Sequence, residues 1–196
     1  VDLPRDPADP VDAGMEDGDA IAMLGIQLET RRRNRLNGVI RRTDAEAFRL
    51  RVGQSFGNCP QYIQPRSSVF VRDPDMPTAT QPLHSGQLDD RALGMVEGAD
   101  TFFVASYVDR ANGERQVDVS HRGGNAGFVR VGADGVLTIP DFAGNRFFNT
   151  LGNILVNSKA GLVFVDFETG DMLQMTGNAE VLLDSPDIAT FQGAER

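Results

Sequence analysis

The stretch from residue 117 to 157 most constrains the fold, because it alternates short strand-like segments with glycine-rich breaks and ends in a helical pattern. Its β-branched, aromatic and aliphatic residues fall between breaks at Gly123-Gly124 and around Gly135, which is typical of an antiparallel sheet. Apolar residues then recur at helical spacing, with amides and a hydroxyl between them: Phe147, Phe148, Leu151, Ile154 and Leu155. The pattern predicts a helix with a buried apolar stripe and an N-cap at Asn145.

The start of this helix is also a candidate anion site. A helix start offers unpaired backbone N–H groups and the positive end of the helix dipole, and Arg146, Asn149 and Thr150 lie there. Ser120 and Arg122, which leave the preceding strand before two glycines, complete a candidate phosphate clamp, because a guanidinium matches phosphate in a forked geometry. The alternative is that the Asn and Thr residues only cap the helix and that Arg122 is a solvated loop residue.

Several motifs in order resemble those of one family. The segments V-S-H-R-G-G, G-F-V-R-V, I-P-D-F-A-G-N-R and N-T-L-G-N-I-L, with F-G-N-C-P-Q-Y-I at residues 56–63, are similar to motifs of the pyridoxamine 5'-phosphate oxidase-like FMN-binding split barrels. The similarity covers roughly residues 101–184. It implies an FMN whose phosphate is held by the strand-end Ser and Arg and by the helix start. It also implies a homodimer with the flavin between subunits.

The resemblance assigns the strand backbone and the next strand end to the isoalloxazine ring, and the helix start to the phosphate. The implied cofactor-binding residues are Asp118, Val119, Ser120, His121, Arg122, Ile139, Pro140, Asn145, Arg146, Asn149, Thr150 and Gln174. Asn149-Thr150 stands where the oxidases proper carry Arg-Lys, so the implied clamp is less charged. Those oxidases carry a flavin-contacting Gln on the last hairpin, and the spacing to Gly177 aligns that position with Met172. Gln174 lies two residues further along on the same face of the strand and is the candidate for this role.

The fold class that follows is mainly β with short helices: a six-stranded antiparallel split β-barrel of Greek-key type, preceded by the remnant of a second, related half-barrel. Its predicted strands are residues 101–108, a strand ending at Ser120, and residues 128–131, 137–139, 162–167 and 172–183, with a helix at 85–98 before them. The expected organisation is a flexible lead-in at 1–19, a hairpin and extended segment at 20–87, and the FMN-binding barrel at 88–196.

The upstream half contains predicted strands at residues 21–28, 35–41, 48–52 and 68–72, the third ending at Gly53. Residues 24–38 align without a gap with residues 163–177, at a separation of 139 (177 − 38 = 139), and Glu29-Thr30 matches Glu168-Thr169. This internal repeat predicts that the first copy is the last hairpin of a half-barrel, and that the chain is a fragment of something longer. Chance agreement between two hairpins is the alternative.

Composition restricts the partners. The 196 residues carry a formal net charge of −9 and a pI near 4.7, which argues against nucleic acid as a partner. The arginines at 31, 32, 33 and 35 are therefore predicted to pair with the chain's own carboxylates or with a partner subunit. The sequence has no apolar run long enough for a bilayer, no signal-peptide pattern and one cysteine, which predicts no membrane partner and a cytoplasmic location. Two histidines and one cysteine predict no metal site.

The leading functional hypothesis is an FMN-binding oxidoreductase that transfers hydride or electrons to an unknown substrate, with no catalytic residue assigned. Oxidation of pyridoxamine 5'-phosphate itself is not expected, because the substrate-binding segment of those oxidases, with its Trp and Arg, has no counterpart here. The alternatives are a non-catalytic flavin- or haem-binding module and an assembly domain. His121 either contacts the ligand or is a solvated strand-end residue, and Cys59 is a turn residue or, less simply, a nucleophile.

Overall fold

The computed structural model of the chain is mainly β, with short helices and antiparallel sheets. It describes residues 1–7, 9–57, 60–71, 73, 75–76, 81–144 and 146–195. The strands are β1 (Ala20–Gln27), β2 (Arg32–Arg42), β3 (Phe48–Gly57), β4 (Thr101–Asp109), β5 (Arg115–Gly123), β6 (Arg130–Val131), β7 (Leu137–Thr138), β8 (Lys159–Val165) and β9 (Met172–Asn178). The α-helices are α1 (Asp90–Gly98) and α2 (Asn149–Val156), and Asp12–Gly14 and Pro186–Thr190 are 3-10 turns.

The N-terminal sheet has the order β1-β2-β3, with both pairings antiparallel. The predicted end of its third strand at Gly53 is wrong. Asn37 pairs with Gln54 and Gly38 with Val52, so Gly53 is the extra residue of a β-bulge and the strand continues through it. Glycine inside a strand commonly marks such a bulge.

Residues 1–7 and 9–19 lie against this sheet. The Val1 ammonium donates a hydrogen bond to the Phe48 carbonyl at 2.9 Å, and Leu3 N–H donates to the Glu46 carbonyl at 2.9 Å. Met15 is buried with Ile40 and Phe48 in a small apolar core. The lead-in therefore covers one edge of the N-terminal sheet.

The larger core belongs to the C-terminal sheet, whose order is β5-β4-β8-β9. Phe102 on β4 stacks on Phe164 of β8 and on Phe128, with ring centroids 5.1 and 5.8 Å apart. Val96 of α1 is fully buried against these rings. The predicted central strand at residues 101–108 is confirmed, because alternate residues of β4 bury aromatic and branched side chains on this face.

Several predicted elements have different bounds. α1 starts at Asp90 because the carboxylate of Asp89 caps it, accepting a hydrogen bond from Ala92 N–H at 2.8 Å. Residues 68–71 form no strand and are exposed, and Arg72 lies outside the described residues. The strands predicted at 128–131 and 137–139 are shorter in the structure, where β6 and β7 have two residues each. The strand predicted at 172–183 ends at Asn178.

The six strands β4 to β9 fall into a four-stranded and a two-stranded sheet. Among the described residues, the hydrogen-bonded ladders do not close into a barrel. A β-rich antiparallel fold with short helices is thus confirmed, while the split barrel stays a prediction.

The two hairpins of the internal repeat pair in the same register. Leu24 faces Arg35 across β1 and β2, and, 139 residues later (177 − 38 = 139), Val163 faces Gln174 across β8 and β9. Every described pair of the second hairpin repeats this offset from the first. The likeness therefore extends from the residues to the backbone pairing.

Candidate functional site

Helix α2 begins later than its sequence pattern predicts. Its first residue is Asn149, and its N-cap position is Phe148, which has left-handed backbone angles (φ 52°, ψ 22°) and makes no side-chain cap. The predicted N-cap at Asn145 is therefore wrong, and Asn145 itself lies outside the described residues. The predicted burial is wrong in part: Thr150 is 3% exposed and Leu155 is 61% exposed, whereas Leu151 and Ile154 of the predicted stripe are half-buried.

Polar side chains explain the burial of Thr150, because they attach α2 to strands β4 and β5. Thr150 Oγ1 donates a hydrogen bond to the Asp118 carboxylate at 3.3 Å, and Asn153 Nδ2 donates to Ser106 Oγ at 3.1 Å. A buried carboxylate or hydroxyl without a hydrogen bond is costly, so these bonds turn the polar face of α2 inward. The apolar residues are left at the surface: Phe147, Phe148, Leu155 and Val156.

The Asp118 carboxylate connects β5 with β2 and α2. It is buried and accepts hydrogen bonds from Arg35 Nη1 at 3.0 Å, Ser120 Oγ at 2.9 Å and Thr150 Oγ1 at 3.3 Å. The prediction that the arginine-rich hairpin pairs with the chain's own carboxylates is confirmed at Arg35. The Ser120 and Thr150 hydroxyls, both predicted phosphate ligands, use their single hydrogens on this carboxylate.

A pocket of about 120 Å³ lies between β2, the end of β5 and the start of α2. It brings together seven of the predicted site residues: Ser120, His121, Arg122, Pro140, Arg146, Asn149 and Thr150. Its charged side chains are Arg33, Arg35, Arg122, Arg146 and Asp141, and its aromatic ones are Tyr62, Phe128, Phe142, Phe147 and Phe148, besides His121.

The pocket carries an excess of positive charge in an acidic chain. Arg122 Nη1 pairs with Asp141 Oδ1 at 2.5 Å, and Arg35 pairs with Asp118 just behind the lining. Four arginines and one carboxylate line the pocket, although the chain has a net charge of −9. Low-dielectric walls concentrate such a local field, so the pocket favours an anion.

The upstream motif reaches the same pocket through Tyr62. The Tyr62 hydroxyl donates to the Ala143 carbonyl at 2.9 Å, and Gln64 Nε2 donates to the Gly124 carbonyl at 3.1 Å. Gly123 approaches the Tyr62 carbonyl so closely that a Cβ at this position would clash with it. Asn58 and Cys59 of the same motif lie outside the described residues.

Backbone strain is concentrated around the pocket. Among the described residues, four non-glycine residues have a positive φ, and three of them line the pocket: Tyr62 (65°), Arg146 (59°) and Phe148 (52°). The fourth, Arg31, lies in the turn between β1 and β2. Strained backbone of this kind persists where the surrounding structure imposes it, and it clusters at ligand sites.

His121 is buried beside the pocket. Its ring meets Phe103 edge-on with centroids 5.8 Å apart, and its Nε2 has no hydrogen-bond partner among the residues that the structure describes. Burial, together with the positive charges of Arg33 and Arg122, lowers the pKa of His121 from 6.5 to about 4. The imidazole is therefore neutral at physiological pH.

The remaining predicted residues lie elsewhere. Val119 and Asp118 line a second cavity of about 610 Å³, bordered by β1, β4, β8 and β9. Ile139 packs against the C-terminal core, and Gln174 is exposed on β9 and lines neither cavity. On β5 the lining of the large cavity ends at Val119 and that of the small pocket begins at Ser120.

Sequence reasoning missed the contribution of β2. Arg33 and Arg35 alternate along one strand and line the pocket, but the basic run carries no signal that points to residues about 85 positions downstream. The available signal was the internal repeat. Arg33 and Arg35 occupy the positions equivalent to Met172 and Gln174. These are the two residues at which the resemblance places the flavin-contacting Gln.

Comparison with known proteins gives no match to any family model, any curated protein or any solved structure. Within the described part of the chain, no three His, Cys, Asp or Glu side chains are grouped so that they could hold a metal ion. No helix of that part is both long and apolar enough to span a bilayer. The assignment of function therefore depends on the geometry of the pocket.

Proposed function

We propose that the chain binds FMN and is a flavin-dependent oxidoreductase with the split-barrel fold of the pyridoxamine 5'-phosphate oxidase-like proteins. The observation that carries this proposal is the convergence of three separated motif segments on one pocket. Residues from 61–62, 120–123 and 140–150 meet there, although the segments are up to about 90 positions apart in the chain. Packing of an ordinary core does not require arginines and aromatic rings at such a junction.

The lining suits a phosphate attached to a planar aromatic group. Guanidinium groups bind phosphate through charge-assisted, forked hydrogen bonds, and aromatic rings stack on planar ligands. Small-molecule sites typically occupy about 300–1,000 Å³. A pocket of about 120 Å³ thus accommodates the phosphate end of such a ligand.

The residues that would hold the phosphate are Arg33, Arg35, Arg122 and Arg146, with the first backbone N–H groups of α2. FMN, when bound, supplies the hydride or electron chemistry. The protein contributes binding, orientation and exclusion of water. No acid–base role is assigned to His121 or Asp141 of the pocket: the pKa of His121 is lowered to about 4, and Asp141 is paired with Arg122.

The proposal extends to assembly and location. β1 packs beside β5, which brings the N-terminal sheet against the C-terminal one as a split barrel requires. The exposed apolar residues Leu155 and Val156 on α2 favour a homodimer. The net charge of −9 disfavours nucleic acid, and a single cysteine favours a reducing compartment such as the cytoplasm.

The direct test is the visible spectrum of the purified protein and the mass of any small molecule released on denaturation. We expect flavin absorbance that bleaches with NADH or NADPH, and a released mass equal to that of FMN. Arg122→Ala should weaken FMN binding by about 1–3 kcal/mol, the loss expected for a charge-assisted hydrogen bond. Arg110→Ala, an exposed arginine away from the pocket, is the matched control.

The outcomes separate the alternatives. A colourless protein that does not bind added FMN would contradict the proposal and favour an assembly domain. Stable colour that no electron donor bleaches would leave a non-catalytic flavin-binding module. A released haem would replace FMN as the ligand.

A further inference from the structure

We infer that Arg33 and Arg35 of β2 make the pocket selective for a phosphorylated ligand, so that the N-terminal hairpin supplies two of the four guanidinium groups of the pocket. This inference rests on the proposed function insofar as FMN is the ligand. It assigns the selectivity to residues outside the segment that carries the resemblance. It also makes the N-terminal sheet part of the binding site.

The start of α2 is poor in donors for an anion. Asn149 and Thr150 are uncharged, and the Thr150 hydroxyl already donates to Asp118, as does the Ser120 hydroxyl on β5. Arg122 forms an ion pair with Asp141, which offsets its positive charge. The side-chain donors that the pocket can direct at a phosphate are therefore mainly guanidinium groups, and two of the four come from β2.

Arg35 is held in a fixed position for this task. Its side chain is 6% exposed, its Nη1 donates to both Asp118 and Ser120, and its guanidinium carbon lies 5.0 Å from the centre of the Phe56 ring. Among the described residues, none accepts a hydrogen bond from its buried Nε. A guanidinium fixed in this way loses little conformational entropy when a ligand binds.

Arg33 lies two residues away on the same face of β2, because side chains alternate along a strand. Its Nη1 donates to the His121 carbonyl at 3.5 Å, which directs it along β5 toward the pocket. The Asp118 carboxylate offsets the charge of Arg35. Arg35 therefore supplies an oriented donor, and Arg33 places a second guanidinium group in the lining.

The duplicated hairpin shows that these arginines are not required by the hairpin itself. At the equivalent positions, β9 carries Met172 and Gln174, both exposed and neither lining the pocket. The backbone register is the same in both copies. Only the copy that borders the pocket carries guanidinium groups, which indicates a ligand role for them.

The experiment compares FMN with riboflavin, which lacks the phosphate, by fluorescence titration. Arg33→Met is one variant. Arg35→Met combined with Asp118→Asn is the other, because the pair is removed together and no buried carboxylate is left unpaired. Arg32→Met is the matched control, since Arg32 is a neighbouring, exposed arginine of β2 that does not line the pocket.

We expect each pocket variant to lower the FMN-to-riboflavin affinity ratio about tenfold or more, and the Arg32→Met control to keep the wild-type ratio. An unchanged ratio in both pocket variants would overturn the inference. If wild-type protein binds neither flavin, the proposed function fails, and inorganic phosphate becomes the probe through its effect on the thermal unfolding midpoint. A phosphate-induced rise lost in Arg33→Met but kept in Arg32→Met then supports the inference, and no rise in wild-type protein overturns it.

Discussion

At the scale of single residues, the clearest consequence concerns His121. Its pKa is lowered to about 4 because burial and the positive charges of Arg33 and Arg122 disfavour the imidazolium. In the unfolded chain the same group titrates near 6.5. In this pH range the unfolded state therefore binds a proton that the folded state does not bind. The free energy of unfolding falls as the pH drops from about 6.5 toward 4.

We predict that replacing His121 with Gln reduces this loss of stability. Between pH 7 and pH 4.5 the wild-type protein should lose about 2–3 kcal/mol of unfolding free energy through His121 alone. Urea denaturation at both pH values measures the loss. The carboxylates whose pKa is lowered, such as Asp109 and Asp166, titrate below this window and are common to both proteins.

The control for this prediction is His84→Gln, because His84 is the other histidine of the chain and is exposed. It should keep the wild-type pH dependence. A His121→Gln protein that loses as much stability as wild type on acidification would show that the buried imidazole is not the group responsible.

At the scale of elements, the pocket depends on a close contact between β5 and the segment that follows β3. Gly123 ends β5, and its Cα packs on the Tyr62 carbonyl, while the Tyr62 ring lies 5.6 Å from that of Phe142. One side of the pocket is thus held by a backbone contact that excludes a β-carbon. The left-handed Tyr62 leaves this segment little freedom to withdraw.

We predict that Gly123→Ala destabilises the protein by about 1–3 kcal/mol, the usual cost of overpacking, and weakens FMN binding because Tyr62 is displaced. Gly25→Ala on β1 is the matched control, since a β-carbon there meets no atom within 4 Å and Gly25 lines neither cavity. Urea denaturation and FMN titration measure the two effects. Equal stability of both variants would show that the contact is not tight in solution.

Sequence patterns predicted some elements well and others badly, for identifiable reasons. β4 follows its apolar pattern because its side chains enter the core directly. α2 does not, because Thr150 and Asn153 satisfy a carboxylate and a hydroxyl of the sheet, so hydrogen bonding outweighs apolar burial. A periodicity argument counts apolar residues and cannot weigh partners that lie more than 30 positions away.

Prediction of the site is limited in the same way, because its residues pair across even longer distances in the sequence. Motif similarity located Ser120, Arg122 and the start of α2, which do meet in one pocket. It did not locate Arg35, whose partner Asp118 is 83 positions along the chain. Nor did it show that the Ser120 hydroxyl is committed to that carboxylate. Long-range pairing of charged groups is set by the fold and has no local signature.

At the scale of the whole molecule, the last turn of α2 leaves an apolar surface that the monomer does not bury. Leu155 is 61% exposed and Val156 is 73% exposed, at the far end of the helix whose start lines the pocket. Exposed apolar surface beside a ligand site commonly marks an interface. Each chain also carries a net charge of −9, so two copies repel one another at long range.

We therefore predict a homodimer that is held by apolar contact through α2 and strengthened by salt, because salt screens the repulsion more than it weakens apolar burial. Sedimentation velocity at low and high salt should show the dimer fraction rising with salt. Leu155→Ser should shift the protein toward monomer, whereas Val136→Ser, an equally exposed apolar residue between β6 and β7, should not. A wild-type protein that stays monomeric at both salt concentrations would contradict the interface. FMN binding by such a monomer would show that β2, β5 and α2 form the site within one chain.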